Sequence, residues 1–306
     1  MGSHFLLCLA LLLMAWPGWA AQDFREPVLT FAQDEVSGIA ASRRYPGVFW
    51  AIRDSGTGAR EVLLAFRLVD GRAQPWPDGR KVREVRVLGV RNRDWEELAF
   101  DEDGHLWIAD SGNNRHDRTD LALLRVLEPD PWRDDATRVE QRVPLRYPDA
   151  PRAGGTFNAE ALFFHDGHGW LITKDAAHGL YRFPVRQDEK GTLLLERSGG
   201  LVPPPGGFGG LVTGAAIADG GKLLAVTAGR RHVWFYESSE DDAPRVTRLA
   251  GRPPAWCVAY GKNDRDWQVE AASFVPGCRD LVVAAEEGPV WFFPNVSVSR
   301  PRPSVR

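Results

Sequence analysis

Short apolar segments with polar ends recur along the chain in one fixed order. Five units open with a polar residue followed by small and apolar residues, turn, and return as an apolar strand that ends in a polar or charged residue. The first strands open at Ser37, Glu96, Glu160, Thr213 and Glu270, and the second strands end at Asp54, Asp110, Lys174, Thr227 and Glu286. Hairpin turn signals such as Asp166-Gly167 separate the two. Repetition of this kind predicts several copies of one supersecondary unit packed side by side.

Further strands follow each pair. The predicted third strands begin at Val62, Leu121, Leu180, Val233 and Val290. The candidate fourth strands are residues 82–88, 139–145, 193–197 and 245–249. The spacing from Trp234 to Trp291 equals that from Thr213 to Glu270, so two different motifs share one period. Four antiparallel strands per unit with little helical periodicity predict the blades of a β-propeller.

The fifth unit has only three strands before the chain ends. Residues 27–32 are predicted to supply its missing outer strand and so close the ring, because closure removes an exposed sheet edge. The repeats favour five blades, and a sixth would require a degenerate unit in residues 72–93 or 243–267. The predicted fold class is therefore all-β, with one propeller domain over residues 21–299 and a disordered tail over residues 300–306.

The N-terminus differs from the repeats. Residues 5–16 form an apolar run that is too short to span a bilayer comfortably, and Gly18 and Ala20 suit signal-peptidase cleavage after Ala20. Residues 1–20 are thus predicted to be a signal peptide, although the first four residues carry no Lys or Arg. The alternative is an N-terminal membrane anchor. We expect a periplasmic or secreted protein with no stable membrane insertion after cleavage.

Cysteine content and net charge narrow the expectations further. Removal of the signal peptide leaves Cys257 and Cys278, which in an oxidising compartment are predicted to form a disulfide; two free buried thiols are the alternative. The formal net charge of -3 gives no electrostatic reason to expect a nucleic-acid partner. We expect a monomer.

Acidic residues occupy equivalent positions in several blades. The start of the first strand and the end of the second lie at the same end of a propeller channel, and period-2 alternation points Asp94 and Asn158 to the same side as the glutamates that follow them. Carboxylates crowded in a narrow ring need compensation, and hard oxygen ligands suit calcium better than magnesium. The predicted metal ligands are Asp54, Asp94, Glu96, Asp110, Asn158, Glu160, Glu270 and Glu286.

A salt network is the competing interpretation of the same acids. Arg53, Arg93 and Lys174 are close enough in sequence to neutralise them without a metal. Nucleophilic catalysis has little support, since the chain contains neither a Gly-x-Ser-x-Gly elbow nor a His-Glu-x-x-His motif. The candidate catalytic residues are Glu96, Glu160 and His178, and a surface-loop position without catalytic role is the alternative for the histidine.

The segments 37–42, 92–97, 109–115 and 159–162 resemble a group of exported bacterial propellers of uncharacterised function. In architecture the chain also resembles the calcium-dependent propellers, namely the gluconolactonase and paraoxonase, phytase-like and SdiA-regulated groups. That resemblance implies a metal at the channel mouth held by Glu96, Glu160 and Glu270, with Asn158 and Asp110 as secondary ligands. The chain departs from the pattern by carrying Ser37 and Thr213 at two ring positions and Lys174 beside the ring.

Two functions are compatible with these features. The first is a cation-stabilised binding or scaffold protein, and the second is a metal-dependent hydrolase of a lactone or phosphoester. Whether the chain is an enzyme stays open, as does the identity of its small-molecule ligand or protein partner. A third interpretation, a protein-interaction platform at the rim, has no residue in the sequence that singles out a partner.

Overall fold

The chain folds into a ring of antiparallel sheets in a computed structural model. The structure describes residues 21–23, 26–54, 60–148, 157–185, 191–205, 209–218, 220–238, 245–260 and 267–296. The predicted signal peptide and C-terminal tail lie outside these ranges. Within them the secondary structure is almost entirely strand, as the short apolar runs predicted. None of the helical structure in these ranges has the length and apolarity that crossing a bilayer demands.

Five blades of four main strands each make up the described part of the chain. Two short strands precede them: β1 (Ala21–Asp23) and β2 (Leu29–Thr30). Blade 1 contains β3 (Val36–Ala41), β4 (Val48–Arg53), β5 (Val62–Val69), the short β6 (Arg72–Gln74) and β7 (Val82–Leu88). Blade 2 contains β8 (Trp95–Phe100), β9 (Leu106–Asp110), β10 (Ala122–Val126) and β11 (Ala136–Arg146).

The remaining three blades follow the same order. Blade 3 contains β12 (Ala159–His165), β13 (His168–Thr173), β14 (Gly179–Pro184), β15 (Leu193–Leu194, paired with β11) and β16 (Glu196–Gly200). Blade 4 contains β17 (Val212–Ile217), β18 (Leu223–Ala228), β19 (His232–Glu237), the helix α1 (Val246–Ala250) and β20 (Trp256–Tyr260). Blade 5 contains β21 (Val269–Phe274), β22 (Leu281–Ala285) and β23 (Pro289–Phe293).

An N-terminal strand completes blade 5, which confirms the predicted closure. β2 pairs antiparallel with β23, with Leu29 opposite Val290. The five innermost strands, β3, β8, β12, β17 and β21, pack against one another in a closed ring. Leu29 and Phe31 are buried by this pairing. The closing strand therefore joins the two ends of the propeller through ladder hydrogen bonds and apolar burial.

One predicted fourth strand is wrong. Residues 245–249 were expected to form the outer edge of blade 4, but they lie largely within helix α1, which buries Val246, Leu249 and Ala250. The fourth strand is instead β20, which follows the helix and pairs with β19. A short apolar segment does not distinguish strand from helix by periodicity, and the register with β19 decides which segment pairs.

Each gap between neighbouring blades contains its own apolar cluster. Trp50 lies between blades 1 and 2, Trp107 between blades 2 and 3, and Trp234 between blades 3 and 4. Trp291 fills the gap between blades 4 and 5, and Phe66 the gap between blades 5 and 1. Because the inner strands are covered on both faces by neighbouring blades, both of their sides are buried, and the blades are held by side-chain packing.

The predicted disulfide is not formed. Cys257 and Cys278 are both free thiols. Cys257 is buried on β20 in the cluster between blades 3 and 4, whereas Cys278 is exposed in the turn between β21 and β22. The two cysteines belong to different blades, and sequence position alone does not reveal that separation.

Candidate functional site

A β-bulge occurs at the same point in all five inner strands. In each case one residue has no partner on the second strand, and the ladder resumes one residue later. The bulged residues are the five ring positions of the sequence pattern: Ser37, Glu96, Glu160, Thr213 and Glu270. Bulges bend a strand and redirect a side chain, so this repeated irregularity places five equivalent residues around one end of the channel.

Three carboxylates from two blades converge there. Asp54, Asp94 and Glu96 each offer one oxygen, and these oxygens all lie within 4.8 Å of one another. Glu96 is buried, and its Oε1 has no hydrogen-bond partner among the residues that the structure describes. Gly112 passes directly over this cluster, and a Cβ at that position would overlap both Glu96 and Asp94. The glycine therefore preserves the space around the three acids.

Glu160 extends this cluster into blade 3. The Nδ2 of Asn158 donates to Glu160 Oε1 over 2.9 Å, and the ammonium of Lys174 lies 3.2 Å from Glu160 Oε2. Glu96 and Glu160 share a hydrogen bond between their carboxyl groups. Burial raises the pKa of Glu96 well above its ordinary value, and the charges of Glu160, Asp54 and Asp94 raise it further. The hydrogen bond between the two carboxyl groups also raises the pKa of Glu96 and opposes the upward shift that burial imposes on the pKa of Glu160, so the two acids titrate as a pair.

Lys174 supplies the positive charge at the centre of the ring. Burial disfavours its charged form, but Glu160, Glu270 and Glu96 outweigh burial and raise the pKa of Lys174 above its ordinary value. The same charge opposes the upward shift that burial imposes on the pKa of Glu160 and of Glu270. Glu286 lies further out, where burial and the neighbouring Glu35 raise its pKa to about 7.

The other two cations of the predicted salt network do not take part in it. Arg93 pairs with Asp120 at 3.1 Å on the surface. Arg53 responds electrostatically to Glu84 and Arg60 and not to the ring acids. Of the three predicted cations, only Lys174 neutralises the ring.

Asp110 is held by an arginine that the sequence did not reveal. The guanidinium of Arg118 lies 2.9 Å from Asp110 Oδ1, contacts Asp120 at 3.1 Å and donates to the carbonyl of Gly112. Burial nevertheless raises the pKa of Asp110 to about 6. Asp110 Oδ1 also accepts from the amide of Asp94 at 3.3 Å. Asp110 therefore supports the loop that carries Asp94.

Ser37 and Thr213, the two uncharged ring residues, connect neighbouring blades. The hydroxyl of Ser37 donates to Trp95 O over 2.7 Å, and that of Thr213 donates to Val269 O over 2.7 Å. Each of these bonds joins an inner strand to the next one around the ring. Their role is therefore structural, which explains why acids are absent at those two positions.

His178 does not belong to the ring. It is buried, and its imidazole packs edge-on against Trp234 at a centroid distance of 5.8 Å. Trp234 is on the third strand of blade 4, two strands outward from the channel. The prediction that His178 is a catalytic acid or base is therefore not supported by its position, and the surface-loop alternative is also wrong.

Glu97 is a further acid of the channel, and the ring pattern of the repeats does not include it. It is completely buried, and its carboxyl accepts backbone N–H groups from Leu98 at 3.0 Å, from Ala215 at 3.2 Å and from Ile39. It therefore joins blades 1, 2 and 4 through the channel axis. The equivalent residues of the other blades are small: Gly38, Ala161, Gly214 and Ala271. A glutamate at a position where the other blades carry small residues was the feature of the sequence that pointed to Glu97.

Comparisons with known proteins do not identify a family for this chain. The sequence matches no protein-family profile and no curated protein. Among solved structures, a glutaminyl cyclase of Myxococcus xanthus aligns over 91% of this chain and 97% of its own, with 13% identity and a TM-score of 0.49. The C-terminal WD40 domain of Sif2 aligns over 86% of this chain and 70% of its own, with 12% identity and a TM-score of 0.34. Neither likeness informs the chemistry of this site or adds support for the calcium-dependent groups.

Proposed function

We propose that this protein is a divalent-cation-binding propeller whose site is formed by Asp54, Asp94 and Glu96 at the acidic end of the channel. One observation carries the proposal. Three carboxylate oxygens from two blades lie within 4.8 Å of one another, and the buried Glu96 Oε1 has no hydrogen-bond partner in the described part of the chain. Two oxygens that bind one calcium ion at about 2.4 Å each can be no more than about 4.8 Å apart.

Calcium fits this set of donors better than other cations do. All three side chains offer hard oxygen, and no histidine or cysteine belongs to the group. Zinc prefers nitrogen and sulfur ligands, while magnesium requires a tight octahedron of oxygens. These acids come from two different blades. Their spacing suits the calcium–oxygen bond, which is longer and more flexible in its geometry than the magnesium–oxygen bond.

Lys174 and Glu160 make the site compatible with both interpretations of the acidic ring. Their ion pair neutralises Glu160. It leaves Asp54, Asp94 and Glu96 as the oxygen ligands for a divalent cation. In the protein without a cation, the carboxyl groups of Glu96 and Glu160 share a proton through their hydrogen bond. Cation binding at Glu96 would displace that proton, because a carboxylate binds a metal in its ionised form.

The expected role is that of a binding or scaffold protein outside the cytoplasm. This part of the proposal rests on the predicted signal peptide over residues 1–20. Extracellular modules bind calcium with dissociation constants of about 10⁻⁴ to 10⁻³ M, and three carboxylates in a rigid channel suit that range. The bound cation would then stabilise the ring in its working compartment.

Calorimetric titration of the mature chain with calcium tests the proposal. We expect one site per chain and release of roughly one proton, visible as a dependence of the apparent enthalpy on buffer ionisation. At a calcium concentration about 100 times the dissociation constant, the free energy of unfolding should rise by about 2.7 kcal/mol. Glu96→Gln and Asp94→Asn should abolish the effect, and Glu196→Gln, in an exposed ion pair with Arg182, should keep it. Equal calcium effects in all four proteins would refute the site.

A metal-dependent hydrolase of a lactone or phosphoester is the second candidate. The hydrogen-bonded Glu96–Glu160 pair favours it, since a carboxylate of raised pKa beside a metal can accept a proton from water. A panel of lactones and phosphate esters, assayed with calcium and with chelator, tests it. Calcium-dependent turnover that disappears in Glu160→Gln would establish the enzyme. Calcium binding without turnover would leave the scaffold function.

A further inference from the structure

Arg53 is a buried cation on the side of blade 1 that faces blade 5. It is only 6% exposed, and its Nε and Nη2 are buried without a hydrogen-bond partner among the described residues. A guanidinium has five donors in a fixed fork and stays charged in proteins. Burial of that charge without a partner is costly, and such groups normally contact an ion, water or a counter-charge.

The strand alternation places Arg53 away from the cation site. On β4, Phe49 and Ala51 pack between blades 5 and 1, while Trp50 and Ile52 pack between blades 1 and 2. Arg53 continues the first series, and Asp54 lies beside Asp94 and Glu96 of blade 2. The side chains of Arg53 and Asp54 thus lie on opposite faces of the blade.

Among the residues that the structure describes, no buried acid compensates Arg53. The attractive charge that affects it is that of Glu84, which is exposed, and the neighbouring guanidinium of Arg60 repels it. Two guanidinium groups with one exposed acid give this corner of the blade an excess of positive charge. An anion bound at that corner would supply both the missing hydrogen-bond acceptor and the missing negative charge.

We propose that Arg53, with Arg60 as a second positive charge, forms an oxyanion-binding site at the acidic end of blade 1, separate from the cation site. The ligand group is a carboxylate or a phosphate, because the planar guanidinium fork matches the paired oxygens of both. The proposal does not depend on calcium binding. A molecule that docks at this end of the propeller is therefore expected to carry an anionic group.

Thermal unfolding of the chelator-treated mature chain, in which no metal can recruit the anion, tests this site. Inorganic phosphate and acetate are compared with chloride at one ionic strength. We expect 10-fold saturation with the preferred anion to raise the melting temperature by about 3 °C. Stabilisation by phosphate alone would identify a phosphoryl site. Stabilisation by acetate as well as by phosphate would identify a site that also accepts a carboxylate. No stabilisation by either anion would overturn the proposal.

Variants separate a bound anion from a general salt effect. Arg53→Met should lose the stabilisation, while Arg80→Gln, which removes an exposed arginine of the same blade paired with Asp78, should keep it. Without anion, Arg53→Met should melt no lower than the wild type, since it removes an uncompensated buried charge. Should that variant fail to fold, Arg53→Lys provides the measurement, because it keeps the charge and loses the fork. Retention of the full anion effect in either Arg53 variant would contradict the site.

Discussion

Lys174 Nζ lies 3.2 Å from Glu160 Oε2, within one blade of the propeller. Glu160 is almost fully buried, while Lys174 retains some exposure to solvent. The ion pair neutralises Glu160, which shares a hydrogen bond with Glu96 of the neighbouring acidic cluster. The charge balance at this end of the channel therefore depends on Lys174.

Removal of Lys174 should expose this dependence. We expect Lys174→Met to lower the free energy of unfolding in chelator by about 3 kcal/mol, because Glu160 would become a buried charge without its cation. Calcium should restore part of that loss. Urea denaturation with and without calcium measures both effects. Arg182→Ala, which breaks an exposed pair with Glu196, should cost about 1 kcal/mol or less and show no calcium rescue.

Glu97 should be more important for the fold than for any ligand. We expect Glu97→Ala to cost about 3 kcal/mol or more, because it leaves three buried backbone donors without an acceptor. Glu97→Gln keeps the shape and an acceptor oxygen, so it should cost about half as much. Burial raises the pKa of Glu97 well above its ordinary value, and the neutral amide resembles the protonated acid. Equal destabilisation by both substitutions in chemical denaturation would contradict the proposed bonding.

Glu286 should make stability depend on pH near neutrality. Its pKa is raised from 4.5 to about 7 by burial and by Glu35. A carboxyl whose pKa is raised on folding binds more protons in the folded state, so its contribution is greatest below pH 4.5 and is lost as pH rises to about 7. The loss should be about 1 to 3 kcal/mol.

Comparison with Glu286→Gln isolates this contribution from other titrating groups. The difference in free energy of unfolding between wild type and variant should change across pH 4.5 to 7 and stay constant above it. Urea denaturation at a series of pH values in chelator gives the difference. A constant difference over the whole range would show that Glu286 titrates normally.

The two thiols should differ sharply in reactivity. Cys278 is exposed, whereas burial raises the pKa of Cys257 to about 12. A thiol reagent should therefore modify one cysteine of the native mature chain quickly and the second only after unfolding, since the thiolate is the reactive form. Mass spectrometry identifies the modified residue. Absence of any reactive thiol in the unreduced protein would restore the disulfide.

Repeat comparison predicted the ring but not its chemistry. Ser37, Glu96, Glu160, Thr213 and Glu270 were identified as equivalent because they open equivalent strands, and all five are bulged residues in the structure. Their partners could not be read in the same way. Arg118 reaches Asp110 from a loop, and Glu97 crosses the channel to Ala215 of another blade.

The sequence by itself determined the four-stranded unit and the closing strand at Leu29, and it favoured five blades over six, because these features follow from local alternation and from a repeat that each unit carries within itself. Only the tertiary structure decided which acid meets which cation, that Cys257 and Cys278 are apart, and that Arg53 is buried while Asp54 joins the acidic cluster. Those outcomes depend on distances between blades, and distances between segments remote in the chain are set by packing around the whole ring.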